Sequence, residues 1–354
     1  NLCRFSYFCN YGLNVRERQR AEINPMQYGT IVHYILERFF GEYTKEEYLS
    51  LEEDKLQKIV CAYLAEYAVK YFGEEQLESN SFTYRLKTIL DNVMHLMKHI
   101  MEELSQSEFF VADCELKIGE DIPSYTIVLP DGHKIAVCGS VDRVDIMQRA
   151  DITYLRIIDY KTGTKQFKLS DILYGINLQM LLYLHSIEAS GGDKYGEIVP
   201  AGILYMPATV PYISSDSLKS IDKLPDELNK KLKMNGLLLK DTEIIHGMDK
   251  TDVATYIPVK IKAGEPVSST SLATLAEFGK IFKKVDMLIA EMGKNIYNGN
   301  IEAKPLKGGH DSCEYCPYDS VCAYRQSNPI TCFSVDNKTV IEEITNEING
   351  KEEE

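Results

Sequence analysis

Along the first third of this chain, hydrophobic residues recur every three to four positions; from about residue 108 they begin to alternate instead. Asn24-Pro25-Met26-Gln27 reads as a helix start, with Asn24 as N-cap, Pro25 in the first turn and Gln27 in the reciprocal capping position. The periodicity carries that helix to about Phe40 and predicts further helices over roughly 51–72 and 83–105. Beyond residue 108, two β-rich runs flank Asp131-Gly132, a strong hairpin signal, and a third strand follows over about 153–160. Ser170 is placed to cap a helix reaching Ala189, and "PAGILYMP" (200–207) reads as a buried strand. Helix, three antiparallel strands, helix, strand gives an α/β sandwich around a mixed central sheet flanked by helices.

The C-terminal half is less regular. Residues 211–255 are polar and lysine-rich around "NGLLL" and read as an insertion or arm. Strand-like "YIPVKI", a long helix over about 270–297 and a cysteine-rich stretch at 313–322 complete a single domain over 1–334 with its core in 25–210. The acidic tail, 335–354, is expected to be mobile.

A chain of 354 residues with 44% hydrophobic and 26% charged residues has enough apolar surface for a sizeable core. No apolar run is long enough to cross a bilayer, and Asn1-Leu2-Cys3-Arg4 is not a signal peptide, so no membrane partner and a cytoplasmic location are expected. The first residue is not Met, which suggests a fragment of a longer polypeptide. Net charge of −14 argues against a general nucleic-acid coat protein. It leaves room for a local basic cleft, and "RERQR" (16–20) and Lys161, Lys165 and Lys168 are positive clusters. Nine cysteines make a disulfide framework improbable in such a compartment, so close cysteine spacing points to metal or cluster ligation.

"LRIIDYKTGTKQF" (155–167) runs apolar and then presents Asp159, Tyr160 and Lys161. Alternation puts Asp159 and Lys161 on one strand face and Tyr160 on the other. An Asp-x-Lys pair arises about once by chance in a chain of this length, and a surface ion pair is its plain reading. In "CGSVDRVDI", Asp142 and Val144 share one face while Val141, Arg143 and Asp145 share the other. If the next strand pairs antiparallel, Asp142 lies beside Asp159. Two such carboxylates repel unless one is protonated or a cation lies between them, and hard oxygen ligands suit Mg²⁺ or Mn²⁺. His33 falls on the inward stripe Met26, Gly29, His33, Leu36, Phe40, as a core histidine would. Glu115 is an acidic residue in a strand-like run, readable as an edge position, and Gln179 and Tyr183 are i and i+4 on a helix, readable as surface polarity.

In order, the set is His33 on a helix, Glu115, Gly139-Ser140-Val141-Asp142, Asp159-Tyr160-Lys161 and Gln179-x-x-x-Tyr183. It resembles the PD-(D/E)XK nuclease superfamily, and within it the RecB-like branch that adds the helical His and the Gln-x-x-x-Tyr motif. The match spans roughly residues 25–190, with Val141-Asp142 in place of Pro-Asp. The resemblance implies a restriction-endonuclease-like core and metal-dependent hydrolysis of DNA. Asp142, Asp159, the Tyr160 carbonyl, His33 and Glu115 would hold the metal. Lys161 would orient water or stabilise the transition state, and Gln179 and Tyr183 would position the strand or brace the site.

Cys313-x₂-Cys316-x₅-Cys322 is too dense for core thiols and wants a fourth ligand; tetrahedral zinc and a [4Fe–4S] cluster both fit the spacing. The opening "CRFSYFCNYGL" resembles the Cys-Pro-Phe-x-Tyr-Phe start of iron–sulfur nucleases, with Arg4 replacing proline. That resemblance implies a [4Fe–4S] staple on Cys3, Cys313, Cys316 and Cys322, with Cys9 competing for the first place. Over its whole length the pattern is similar to the nuclease domains of the AddB family of bacterial helicase–nuclease proteins, down to a "GLLL" insertion. This implies action on single-stranded DNA ends beside an AddA-like helicase partner. The chain has no Gly-x-x-x-x-Gly-Lys-Ser/Thr loop, so it is not expected to hydrolyse ATP. A stand-alone iron–sulfur exonuclease and a non-catalytic DNA-end-binding module are the rival readings.

Overall fold

A computed structural model describes residues 3–16, 25–163, 166–209, 224–268, 270–322, 324 and 329–352. Asn24, the basic run 17–20, Lys165 and the start of the expected arm (211–223) lie outside the described residues.

The helices are α1 (Arg4–Tyr7), α2 (Pro25–Glu42), α3 (Lys45–Leu49), α4 (Glu53–Phe72), α5 (Glu74–Leu77), α6 (Asn80–Ser105), α7 (Gln179–Ser190), α8 (Gly192–Tyr195), α9 (Leu224–Leu232), α10 (Thr242–Met248), α11 (Leu275–Tyr297) and α12 (Asn337–Glu352). The strands are β1 (Phe110–Ile118), β2 (Tyr125–Val128), β3 (Lys134–Val137), β4 (Gly139–Arg149), β5 (Ile152–Lys161), β6 (Glu197–Pro207), β7 (Asn235–Leu239), β8 (Lys260–Lys262), β9 (Glu265–Val267), β10 (Leu272–Ala273), β11 (Leu306–Gly308) and β12 (Ile330–Cys332). A mixed sheet in the order β1-β4-β5-β6-β7-β10 forms the centre. β1, β4 and β5 are antiparallel neighbours, and β6 joins β5 in parallel. The parallel step needs a crossover, which the segment containing α7 supplies.

Helices α2, α4 and α6 pack on one another, and their apolar stripes feed one core. In α2 the stripe is Ile31, Val32, Ile35, Leu36 and Phe39; in α6 it is Ile89, Val93, Met97, Ile100 and Leu104. Both follow the three-to-four spacing that turns one helical face inward. The N-terminal end of α2 lies across the ends of β5 and β6: Tyr28 Oη donates to the Ala208 carbonyl (3.0 Å), and Gly29 sits beside Thr162.

The register of β4 against β5 is fixed at both ends. At one end a two-residue turn joins Arg149 to its partner Ile152, with Ala150 at φ 50°. Toward the other, Arg143, Asp145 and Arg156 share one face and meet Glu103 of α6, all four fully buried. Arg143 donates through Nε and Nη2 to Asp145 (2.7 Å each) and through Nη2 to Glu103 (3.0 Å). Arg156 donates to Asp145 (3.0 Å) and Glu103 (2.5 Å). Burial opposes the charged form of Asp145, but the two guanidinium groups outweigh it and hold its pKa below the usual carboxylate range.

Four sequence expectations are corrected. The Asp131-Gly132 hairpin forms as β2–β3, but as a separate two-stranded sheet; β1 takes the place beside β4. The helix expected over 170–189 is broken: a 3₁₀ turn (Leu169–Tyr174) ends at Gly175 in the left-handed region, Asn177 follows at φ 54°, and α7 begins only at Gln179. The 211–255 arm contributes β7 to the central sheet, because both faces of Leu237 and Leu238 find apolar cover. The 335–354 tail is helical over Asn337–Glu352. Val340, Ile344 and Ile348, one turn apart, are buried within the main core, and Glu347 pairs with Lys284 of α11.

Helix α7 is seated by a close approach. A Cβ on Gly139 would stand 2.2 Å from Tyr183 Oη and 2.6 Å from its ring, so the first residue of β4 must lack a side chain. Gly139→Ala should cost about 1–3 kcal/mol in urea unfolding. Tyr183→Ala in that background should recover most of the loss, whereas simple additivity would show that the two positions do not clash. Glu103→Gln should cost about 3 kcal/mol or more, since it leaves buried guanidinium charge uncompensated. A fall of the urea midpoint at unchanged slope is the expected result, and a shift worth under about 1 kcal/mol would show that the quartet relaxes without it.

Candidate active site

The strand registers build the site. Cys114 pairs with Arg143 and Leu116 with Val141, so Glu115 lies level with Asp142. Arg143 pairs with Ile158, so Asp142 in turn lies one step beyond, level with Asp159. Asp159 pairs with Tyr205 on β6. Glu115, Asp142 and Asp159 thus form one row of carboxylates across β1, β4 and β5, with the antiparallel pairing on which the sequence argument depended. His33 reaches this row from α2: Nδ1 lies 2.9 Å from Glu115 Oε1, and Nε2 lies 3.5 Å from Asp142 Oδ2.

Each carboxylate is held in a different way. Glu115 adopts φ 50° within a strand, a conformation costly for a residue with a Cβ. The strain accompanies a carboxylate aimed at His33 and at Ser140, whose Oγ donates to Oε2 (2.8 Å). Asp142 Oδ2 accepts the Tyr160 N–H (2.9 Å). Asp159 is buried, with Oδ2 2.5 Å from Lys161 Nζ but lacking a hydrogen-bond partner of proper geometry. Tyr160 points to the opposite face, buried against Arg143, whose Nη1 donates to its Oη (3.4 Å).

Electrostatics follow from this crowding. Burial, with the charges of Asp159 and Glu115, pushes the Asp142 carboxyl up to about 6, against the partial relief of His33 and the Tyr160 N–H. Burial opposes charge on His33 and on Glu115 alike. Their mutual hydrogen bond outweighs it only in company: with the charges of Asp142, Glu115 and Asp159 it raises the imidazole, and with the Ser140 hydrogen bond and the charge of His33 it lowers the carboxyl. Protons here do in part what a cation would do.

The donor set fits a hard divalent ion. His33, Glu115 and Asp142 offer ligand atoms within 4.8 Å of one another, and Asp159, whose buried Oδ2 is paired with Lys161, is the next residue of the row. Tyr183 packs at the start of β4, three residues before Asp142, while Gln179 opens α7 and is exposed. Sequence reasoning assigned no role to Ser140, or to Arg143 and Asp145 beneath the row. Alternation had placed those two on the opposite face, which was the signal available.

A second cluster joins the chain's two ends. Cys9 is buried in a π-helical turn (Phe8–Gly12). Burial raises its thiol pKa, and the charges of nearby Cys316, Cys322 and Cys3 raise it further. Cys313 responds likewise to burial and, less strongly, to Cys316. Tyr318 Oη donates to the Val15 carbonyl (2.9 Å) and ties the 313–322 loop to the N-terminal segment. Cys3, Cys316 and Cys322 are thus near enough to Cys9, and Cys316 to Cys313, to act on them electrostatically. Cys61, Cys114 and Cys138 are not among the thiols acting on this group, and Cys332 is buried in a small separate cluster with Ile176 and Leu306.

Comparison with known proteins agrees with this geometry. Residues 1–323 match the family model of the PD-(D/E)XK nuclease superfamily. The chain is 34% identical over 334 residues to a protein of Thermoanaerobacter sp. (strain X514), covering 91% of this chain and 29% of that one. It is 33% identical over 362 residues to one of Alkaliphilus oremlandii, covering 98% and 31%, and 33% identical over 339 residues to one of Clostridium acetobutylicum, covering 91% and 29%. All three are named as subunits of an ATP-dependent helicase/deoxyribonuclease, and this chain spans under a third of the length of each. Matched along nearly its whole length, and carrying the ordered carboxylate row that the family's name abbreviates, the chain belongs to the PD-(D/E)XK nuclease superfamily.

Proposed function

We propose that this chain is the nuclease module of a helicase–nuclease protein of the AddB kind, hydrolysing phosphodiesters of single-stranded DNA ends with Mg²⁺ or Mn²⁺ beside an AddA-like motor. The observation that carries this is the level row Glu115–Asp142–Asp159 capped by His33. One continuous core from Ile31 to Ile348 supports treating it as a single module. No helix among the described residues is long and apolar enough to cross a membrane.

In this reading His33, Glu115, Asp142, Asp159 and the Tyr160 carbonyl would hold the metal, which when bound would supply water activation and charge neutralisation at the phosphate. Ser140 and the Tyr160 N–H fix the orientation of Glu115 and Asp142. Lys161, about one-third exposed beside Asp159, presents an ammonium where a phosphate and its attacking water would meet. Tyr183 braces the start of β4, and Gln179, exposed one turn earlier, is free to touch the strand. A scaffold that only gripped DNA ends would have no use for carboxylates facing a phosphate.

Labelled single-stranded DNA with Mg²⁺ tests this directly. Asp159→Ala and Lys161→Ala should each lower cleavage by about 10²-fold or more, and calorimetric Mn²⁺ binding should weaken in Asp159→Ala. Equal residual cutting by the parent and both variants would remove the site.

The gathered thiols support a [4Fe–4S] cluster on Cys3, Cys313, Cys316 and Cys322 as a structural staple, with zinc as the alternative occupant. Because it would close nearly the whole chain into a loop, its loss should lower stability by a few kcal/mol, on the order expected for a long covalent loop. Anaerobic purification should yield brown protein containing iron and sulfide. Cys316→Ser should lose the colour and melt earlier, whereas colourless protein with stoichiometric zinc would overturn the cluster.

A further inference from the structure

The carboxylate row does not stop at β5. Asp159 pairs with Tyr205, and Tyr205 pairs with Asn235, the first residue of β7. Lys161 pairs with Pro207 at the end of β5 and β6, and Lys233 stands two residues before Asn235, so both lysines lie toward the same end of the sheet. The Phe167 N–H donates to Asn235 Oδ1 (2.7 Å) and ties the start of β7 to the residues that follow Lys161.

Beyond Lys233 opens a cleft of about 610 Å³. Lys230, Lys233, Lys260 and Lys262 line it together with Val259 and Val267, and among the described residues no carboxylate does. In a chain with 53 acidic and 39 basic residues, such a cleft runs against the composition. Lys233 is partly committed, donating to the Ala254 and Val259 carbonyls (2.7 and 3.1 Å). Lys230, Lys260 and Lys262 are exposed, and among the described residues none of them forms an ion pair. Glu265, the cross-strand neighbour of Lys262, instead accepts from Thr242 Oγ1 (2.7 Å). Uncompensated ammonium groups beside apolar side chains are the surface that a polyanion with flat, partly apolar units covers.

We infer that this cleft is a second contact for the DNA strand, in which Lys230, Lys260 and Lys262 hold phosphates of the stretch that has passed over Lys161 from the carboxylate row. The inference rests on the nuclease reading, and it specifies the path of the substrate beyond the cutting centre. It makes the site's affinity dependent on strand length, because only a strand of several nucleotides reaches from the row to the cleft.

The test uses the full chain and the triple variant Lys230→Gln, Lys260→Gln, Lys262→Gln, with circular dichroism to confirm folding. Binding of fluorescent oligothymidylate of about 20 nucleotides is measured by anisotropy in EDTA across a salt series. Each phosphate contact on a single strand contributes about 0.7 to the slope of log affinity against log salt. The triple variant should therefore lose about 2 from that slope, and the corresponding Arg triple should keep it. In Mg²⁺, kcat/KM on the 20-mer should fall about tenfold while a strand of about three nucleotides is cut at the parental rate. An unchanged slope, equal losses on both lengths, or equally effective competition by polyglutamate of matched charge would each overturn the cleft as a DNA contact. Should the parent cut neither strand while the slope still depends on the lysines, the nuclease reading fails and the DNA cleft stands.

Discussion

The chemistry on one face of this sheet depends on a charge quartet sealed beneath the other. Side chains alternate along a strand, so slipping β4 by one residue against β5 would turn Asp142 away and bring a valine into its place. Arg143, Asp145, Arg156 and Glu103 forbid that slip, because none of their charges tolerates an apolar neighbour without its partners. An apolar cluster of the same volume would cover the sheet as well, yet accept more than one register. The two guanidinium groups and two carboxylates balance in charge, so the quartet adds no net charge beneath the carboxylate row.

Above the sheet the balance is deliberately incomplete. Three carboxylates and one imidazole face one another, and their mutual repulsion is relieved only in part by Lys161 and by hydrogen bonds from Ser140 and the Tyr160 N–H. The left-handed backbone of Glu115 adds strain to the same place. Strain and repulsion both make the folded state less stable than it need be, and a bound cation would relieve the repulsion. The quartet and the packed helices hold the carboxylates together against that repulsion.

Much of this was legible in the sequence, for identifiable reasons. Periodicity located α2, α4, α6 and α11 because each has a long amphipathic face, and the Asp-x-Lys and Val-Asp strands announced their register through alternation. The break before α7 was not legible: Gly175 and Asn177 interrupt an apolar run that reads equally well as a continuous helix. The "NGLLL" strand was masked by polar flanks, although its buried leucines decide its place in the sheet. The tail misled through its charge, which hides Val340, Ile344 and Ile348 at one-turn spacing among glutamates. Only the packing shows why Gly139 stands in its motif, where it makes room for the Tyr183 ring.

The cysteine-rich end and the carboxylate row are also mechanically joined. His310, three residues before Cys313, has Nε2 3.1 Å from Asp171 Oδ1, and Asn177 donates to the other oxygen of the same carboxylate (2.5 Å). Asn177 stands two residues before Gln179, so one nearly buried aspartate holds both the approach to the thiols and the entry to α7. Tyr174 Oη accepts the Phe333 N–H (3.0 Å) on the same turn. The proposed staple at the chain's ends would therefore do more than restrict the unfolded ensemble. By fixing the loop that carries His310, it would bear on the irregular turn that leads into α7. That turn has only a short 3₁₀ ladder of its own, closed by the Gly175 N–H, so the bonds that Asp171 makes to Asn177 and His310 add to what holds it in place before α7.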